Sequence, residues 1–152
     1  MDSPAFRCVR CAGIVKLRQA PGRTYTYRIF PALTVPESVQ IPTCSRCSAT
    51  FIDGPTAAAL VLVLQAEYKR ELSKRAKKAL AEISPSLSQR RLERLLDITQ
   101  GYLSRIGGGH ATPSPQLVVL LALLANDPTM LEWVARYWAA PNPPEPQPEP
   151  SR

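Results

Sequence analysis

The stretch LSQRRLERLLDITQGYLSRI, residues 87–106, decides the reading of this chain, because its apolar residues fit two short helices joined by a tight turn. Leu92, Leu95 and Leu96 give the first helix one buried side, Ile98 plugs the turn, and Leu103 with Ile106 anchor the second helix. One face of the second helix is then left free. Gln100, Gly101, Ser104 and Arg105 project from it on adjacent turns, positioned to meet base edges in a DNA major groove. Tyr102 lies in the same segment and joins this candidate set. Gln89 and Arg90, at the start of the first helix, suit phosphate contacts, which position a protein without reading sequence.

Outward from this stretch the helices are clearly punctuated. Ser88 suits the cap of a helix running through Leu96, Thr99 of one through Ile106, Ser114 with Pro115 of one through Ala125, and Asp127 with Pro128 of one through about Ala139. The run Gly107-Gly108-Gly109 must end the second of these. Upstream, Gly54-Pro55 opens a long helix free of further proline or glycine through Ile83, and Pro85 closes it. Residues 1–53 instead carry β-branched and aromatic stretches, Thr24 to Phe30 and Phe51 to Ile52, broken by prolines. The expected organisation is α+β: a β-rich unit over 1–53, a connecting helix over 54–83, an all-α helix-turn-helix bundle over 84–140, and a proline-rich, disordered tail over 141–152.

All four cysteines fall in the first unit, as Cys8-Val9-Arg10-Cys11 and Cys44-Ser45-Arg46-Cys47. A two-residue gap lets both sulfurs of a pair reach one metal, and two pairs supply the four thiolates of a tetrahedral zinc ion. With every position filled by protein, no place remains for an activated water. The expected ion is therefore structural, one Zn2+ per chain held by Cys8, Cys11, Cys44 and Cys47. A Cys-x-x-Cys redox pair usually sits at a helix start near a βαβ pattern, which this sequence lacks. His110, the one histidine, reads as a loop residue or an incidental phosphate contact rather than a ligand.

The balance of 19 Lys plus Arg against 12 Asp plus Glu, a formal net charge of +7, favours a polyanionic partner. The longest apolar runs, Ala57 to Leu64 and Leu117 to Ala125, fall short of the roughly 20 residues of a spanning helix. No secretory signal is evident in Met1 to Arg10. The expected setting is the reducing cytoplasm, with no membrane, where clustered cysteines hold metal rather than form disulfides. Catalysis is not expected, since there is no cluster of acid, base and nucleophile and no Gly-rich phosphate loop.

With these motifs in place, residues 87–106 resemble the XRE-type helix-turn-helix family, Leu-Ser-Gln at 87–89 entering the first motif helix. The whole order resembles the MqsA-type antitoxins: a Cys-x-x-Cys pair, a β-rich insert, a second pair, a connecting helix, then an XRE unit followed by Pro113-Ser114-Pro115 and Asp127-Pro128. The likeness covers residue 8 to about residue 134. It implies a zinc ribbon that binds a toxin, and a carboxy-terminal domain that dimerises and represses its own operon. The positions matching Gly101 and Arg105 contact bases in that family. The implied partners are thus double-stranded DNA, a second copy in a homodimer and a toxin at the ribbon. An orphan or phage regulator, or a protein-interaction module with secondary DNA binding, are the alternatives.

This chain departs from the motif at three positions. Gly101 has no side chain to offer a base, so the contact there is lost or passes to Gln100. Asp97 stands where such motifs place glycine in the turn, and aspartate tolerates the left-handed conformation the turn needs. Glu93 stands where they place a small residue at the helix crossing, which leaves an outward tilt or a pairing with a nearby arginine.

Overall fold

A computed structural model describes residues 6–19 and 22–140; the proline-rich stretch expected as a tail, 141–152, lies outside them. The fold is α+β. Among the described residues, short strands β1 (Phe6–Arg7), β2 (Ile14–Gln19), β3 (Thr24–Tyr27), β4 (Phe30–Thr34) and β5 (Gln40–Cys44) come first. Helices α1 (Gly54–Ile83), α2 (Gln89–Leu95), α3 (Tyr102–Gly107), α4 (Pro115–Asn126) and α5 (Thr129–Ala139) follow. The described residues form two compact units that divide between Arg70 and Glu71, within α1.

In the first unit an antiparallel sheet has the order β1-β2-β5, and β3-β4 is a separate hairpin. Val15 lies opposite Cys44 in this register, which ties the second cysteine pair to the strand that follows the first pair. Pro42 sits within β5 opposite Leu17, a position an edge strand tolerates because one side of its backbone faces no further strand. Phe51 and Ile52, expected as extended, form no strand. The Phe51 N–H donates to the Pro42 carbonyl at 2.9 Å and its ring packs against the buried Cys8, Val15 and Cys44. The hairpin turns through Arg28, whose φ is 52°, and the rings of Tyr27 and Phe30 meet Tyr68 of α1 edge to face at 5.8 and 5.5 Å.

Helix α1 is amphipathic by construction: Leu60, Leu64, Tyr68, Leu72, Ala76, Ala79, Leu80 and Ile83 are buried at three- and four-residue spacing. Its start is closed by Asp53, whose Oδ1 accepts the Thr56 N–H at 2.9 Å. Bonds from the Thr56 hydroxyl and backbone amide hold the Asp53 carboxyl below its ordinary value. A lowered folded-state value means that the cap stabilises above the unfolded carboxylate range and is lost as pH falls through the folded value. We therefore expect Asp53→Ala to lower the melting temperature at neutral pH, with the gap to wild type closing in strong acid. Parallel melting curves across that range check this, and a gap independent of pH would contradict it.

In the second unit Leu92, Leu103, Ile106, Val118, Leu121 and Leu124 form the buried interior, with Pro113 beside them. Ser114 caps α4 by accepting the Leu117 N–H at 3.2 Å, and Pro115 occupies the first turn. Asp127 Oδ1 accepts the Thr129 N–H at 3.0 Å ahead of α5. Among the described residues no single helix is long and apolar enough to cross a membrane; α4 and α5 pass by composition only as a pair, bent by 115° at the break between them.

Candidate functional site

The two cysteine pairs fold into matching knuckles. Cys8 N–H donates to the Gly13 carbonyl at 2.7 Å and Ala12 N–H to the Cys8 carbonyl at 2.8 Å. Cys44 N–H donates in the same way to Ala49 at 2.9 Å, and Ser48 N–H to Cys44 at 3.1 Å. Ala12 and Ser48, each following the second cysteine of its pair, share a φ of 57°. In both knuckles the amide two residues after the first cysteine points at its sulfur, Arg10 N–H to Cys8 Sγ and Arg46 N–H to Cys44 Sγ, each at 3.4 Å.

The four sulfurs converge, all within 4.8 Å of one another. Cys8 Sγ lies 3.6 Å from Cys47 Sγ, and Cys11 Sγ lies 3.5 Å from Cys44 Sγ. Tetrahedral zinc with bonds of about 2.3 Å requires sulfur–sulfur edges of about 3.8 Å, so the cluster has the size of one such ion. Gly13 makes room for it: a Cβ there would lie 2.8 Å from Arg46 Cβ, 2.9 Å from Cys44 Sγ and 3.3 Å from Cys11 Sγ. Backbone amides of Cys47 and Arg46 lower the Cys44 thiol to about 6. The Gly13 amide also acts to lower Cys11, but burial and the neighbouring Cys47, Cys44 and Cys8 thiols push it up to about 12. One thiolate forms readily and the next resists; a cation at the centre removes that conflict. The four cysteines are positioned to hold one metal ion, as in a zinc ribbon.

The second candidate site is built on α2 and α3. Leu103 and Ile106 are fully buried, while Gln89, Arg90, Gln100, Ser104 and Arg105 are exposed and Gly101 and Tyr102 half-buried. The Arg105 guanidinium lies over the Tyr102 ring, 5.7 Å from its centre, and Tyr102 Oη donates to the Thr112 carbonyl at 3.3 Å. The turn between the helices passes through Asp97 with φ of 51°, the left-handed conformation expected there. After α3 the chain leaves through Gly108 and Gly109, whose amides donate to Ser104 and Ile106 carbonyls. His110 packs where a side chain on Gly108 would sit, 2.9 Å from that Cβ position, and its amide donates to the Arg105 carbonyl at 2.8 Å.

Two features of α3 differ from expectation. Thr99 does not cap the helix with its side chain; its carbonyl accepts the Tyr102 N–H at 3.0 Å, and the residue at the cap position is Gly101, with φ of 79° and no local side-chain cap. That φ gives the glycine a conformational reason to be there, since other residues adopt it at a cost of roughly 1–2 kcal/mol. Glu93 neither tilts outward nor pairs with an arginine. It is 3% exposed, its Oε2 accepts the Gly101 N–H and its Oε1 the Leu103 N–H, each at 2.9 Å. The missing cap of α3 thus comes from α2. Beside it Arg90, Glu93, Arg94, Ile98 and Gln100 line a cavity of about 300 Å³, which adds Arg94 to the basic side chains near the turn. Comparison with known proteins finds no matching family model and no matching curated protein.

Proposed function

We propose that the chain is a sequence-specific, double-stranded-DNA-binding transcriptional regulator, a repressor, in which α3 enters the major groove and a structural zinc ion holds the ribbon. The observation that carries this is the division of α3 into two faces. Leu103 and Ile106 are fully buried against the unit's interior, while Ser104 and Arg105 are left exposed on a short helix with no acidic side chain of its own and Gln100 is exposed in the turn just before it. The net charge of +7 supports a polyanionic partner. No catalytic role is proposed, and the setting proposed is the cytoplasm. Zinc held by four thiolates would contribute folding free energy and nothing chemical to the reaction of a substrate.

The antitoxin role comes from the resemblance to MqsA-type proteins, which adds a toxin bound at the ribbon. The exposed apolar Val9, Ile14 and Ile52 of the first unit are the side chains such a partner would cover. A homodimer belongs to the same proposal. Helix α5 buries none of its residues, and Met130 and Trp138 are 39% and 66% exposed on the stripe that also carries Leu131 and Val134. Light scattering should give a dimer at micromolar concentration, and Trp138→Ala should shift it toward monomer; a monomeric wild type, free and on DNA, would overturn this part.

Footprinting on the DNA upstream of the chain's own gene tests the regulator itself. The expected result is a protected stretch holding two related half-sites about one helical turn apart, 34–36 Å between centres. Uniform weak protection without a boundary would contradict it.

A further inference from the structure

We propose that Glu93 is a positioning residue for sequence reading: from α2, without touching DNA, its carboxylate sets the orientation of α3 that Gln100, Ser104 and Arg105 need to meet base edges. This rests on the assignment of α3 as the reading helix. A carboxylate buried to 3% exposure carries a desolvation cost and is kept only where its oxygens are satisfied. Both are: Oε2 takes the Gly101 N–H and Oε1 the Leu103 N–H, each at 2.9 Å, on the first turn of α3. Two bonds from one rigid group constrain both the tilt and the rotation of the helix, where one bond would leave it free to pivot. Leu103 and Ile106 anchor α3 by packing, which is not directional; among the described residues Glu93 is the side chain that hydrogen-bonds the backbone at its start, where the cap residue Gly101 has no side chain to do so.

The same contact closes the start of α3 to phosphate. A helix N-terminus usually offers free N–H groups and a partial positive charge to an anion. Here the Gly101 and Leu103 donors are taken by Glu93, and the Tyr102 donor by the Thr99 carbonyl at 3.0 Å. These three donors are therefore withheld from a phosphate, and contact from this end of α3 falls mainly to its side chains. Glu93 in this way favours discrimination over general adhesion: it fixes the reading face and withholds a contact that would bind every sequence equally.

The test compares full-length, metal-loaded wild type with Glu93→Gln and with Leu124→Ala, a buried α4 substitution that destabilises the same unit without touching α3's cap. Binding to the upstream duplex and to a scrambled duplex of equal length is titrated at one temperature, well below the melting temperature of wild type. The glutamine keeps the shape but turns one oxygen into an N–H donor that opposes a backbone N–H. Glu93→Gln should lose about tenfold or more of the preference for the upstream duplex, while its affinity for scrambled DNA stays level or rises. Leu124→Ala should melt earlier yet keep its preference. Should Glu93→Gln melt below the assay temperature, Glu93→Asp retains the charge, falls short in reach and carries the same expectation. Full preference in a folded Glu93 variant overturns the positioning role alone. Equal binding of both duplexes by wild type overturns the reading helix, and the positioning role with it.

Discussion

Cys44→Ser should abolish stoichiometric metal binding and unfold the β1-β2-β5 sheet. Cys44 is fully buried, lies opposite Val15 on β2 and receives the Arg46 amide at 3.4 Å, so its sulfur joins the cysteine cluster to the sheet. Around it the interior is small: Cys8, Val15 and Cys44, with Cys11, Ala49 and Phe51 packed against them. An interior of that size cannot offset the conformational entropy of ordering the knuckles. Structural zinc contributes on the order of 10–16 kcal/mol in small domains of this kind, comparable to the whole stability of an ordinary domain. Serine keeps the volume but supplies no thiolate. Metal analysis should therefore fall from about one zinc per chain to near none, and amide exchange in β1, β2 and β5 should become unprotected. Retention of both zinc and protection would show that the sulfurs converge without holding an ion.

Arg105→Ala should remove most of the chain's preference between DNA sequences and little of its general affinity. Arg105 is exposed on the face opposite Leu103 and Ile106, and its guanidinium is already held over the Tyr102 ring at 5.7 Å. A bidentate arginine–guanine contact discriminates by about 1–3 kcal/mol, or roughly 5- to 150-fold. Arg90, at the start of α2, is exposed beside the basic cavity near the turn. Its loss should weaken upstream and scrambled duplexes alike, since a phosphate contact carries no sequence information. The two variants separate reading from adhesion: similar losses on both duplexes from Arg105→Ala would place Arg105 among the phosphate contacts instead.

Much of this was legible because it follows from local pattern. The Cys-x-x-Cys spacing specified which sulfurs meet, Ser114-Pro115 marked the start of α4, and the burial of Leu92, Leu103 and Ile106 followed from helical periodicity. The strands β2 and β5 were less visible. Ile14–Gln19 alternates poorly, and Pro42 reads as a breaker until the edge position of β5 is known. Asp53 before Gly54-Pro55 is a readable cap signal that the proline obscured. Gly13 and Glu93 were hidden for a different reason. The need for glycine at 13 comes from Cys44 and Arg46, far along the chain, and the fit of Glu93 comes from α3 amides eight and ten residues away. A glutamate on a helix looks like surface until the helix it caps is in place.

The central claim, that α3 reads DNA sequence, is tested most directly by titrating the metal-loaded chain with its upstream duplex and a scrambled one across a salt series. Non-specific affinity falls steeply as salt rises, because it comes from counterion release. Base contacts add a part that survives. The expected result is a preference for the upstream duplex that persists as salt increases and is reduced in Arg105→Ala. Equal affinities for the two duplexes at every salt concentration, falling together, would mean that the chain is a basic protein that adheres to DNA and reads nothing.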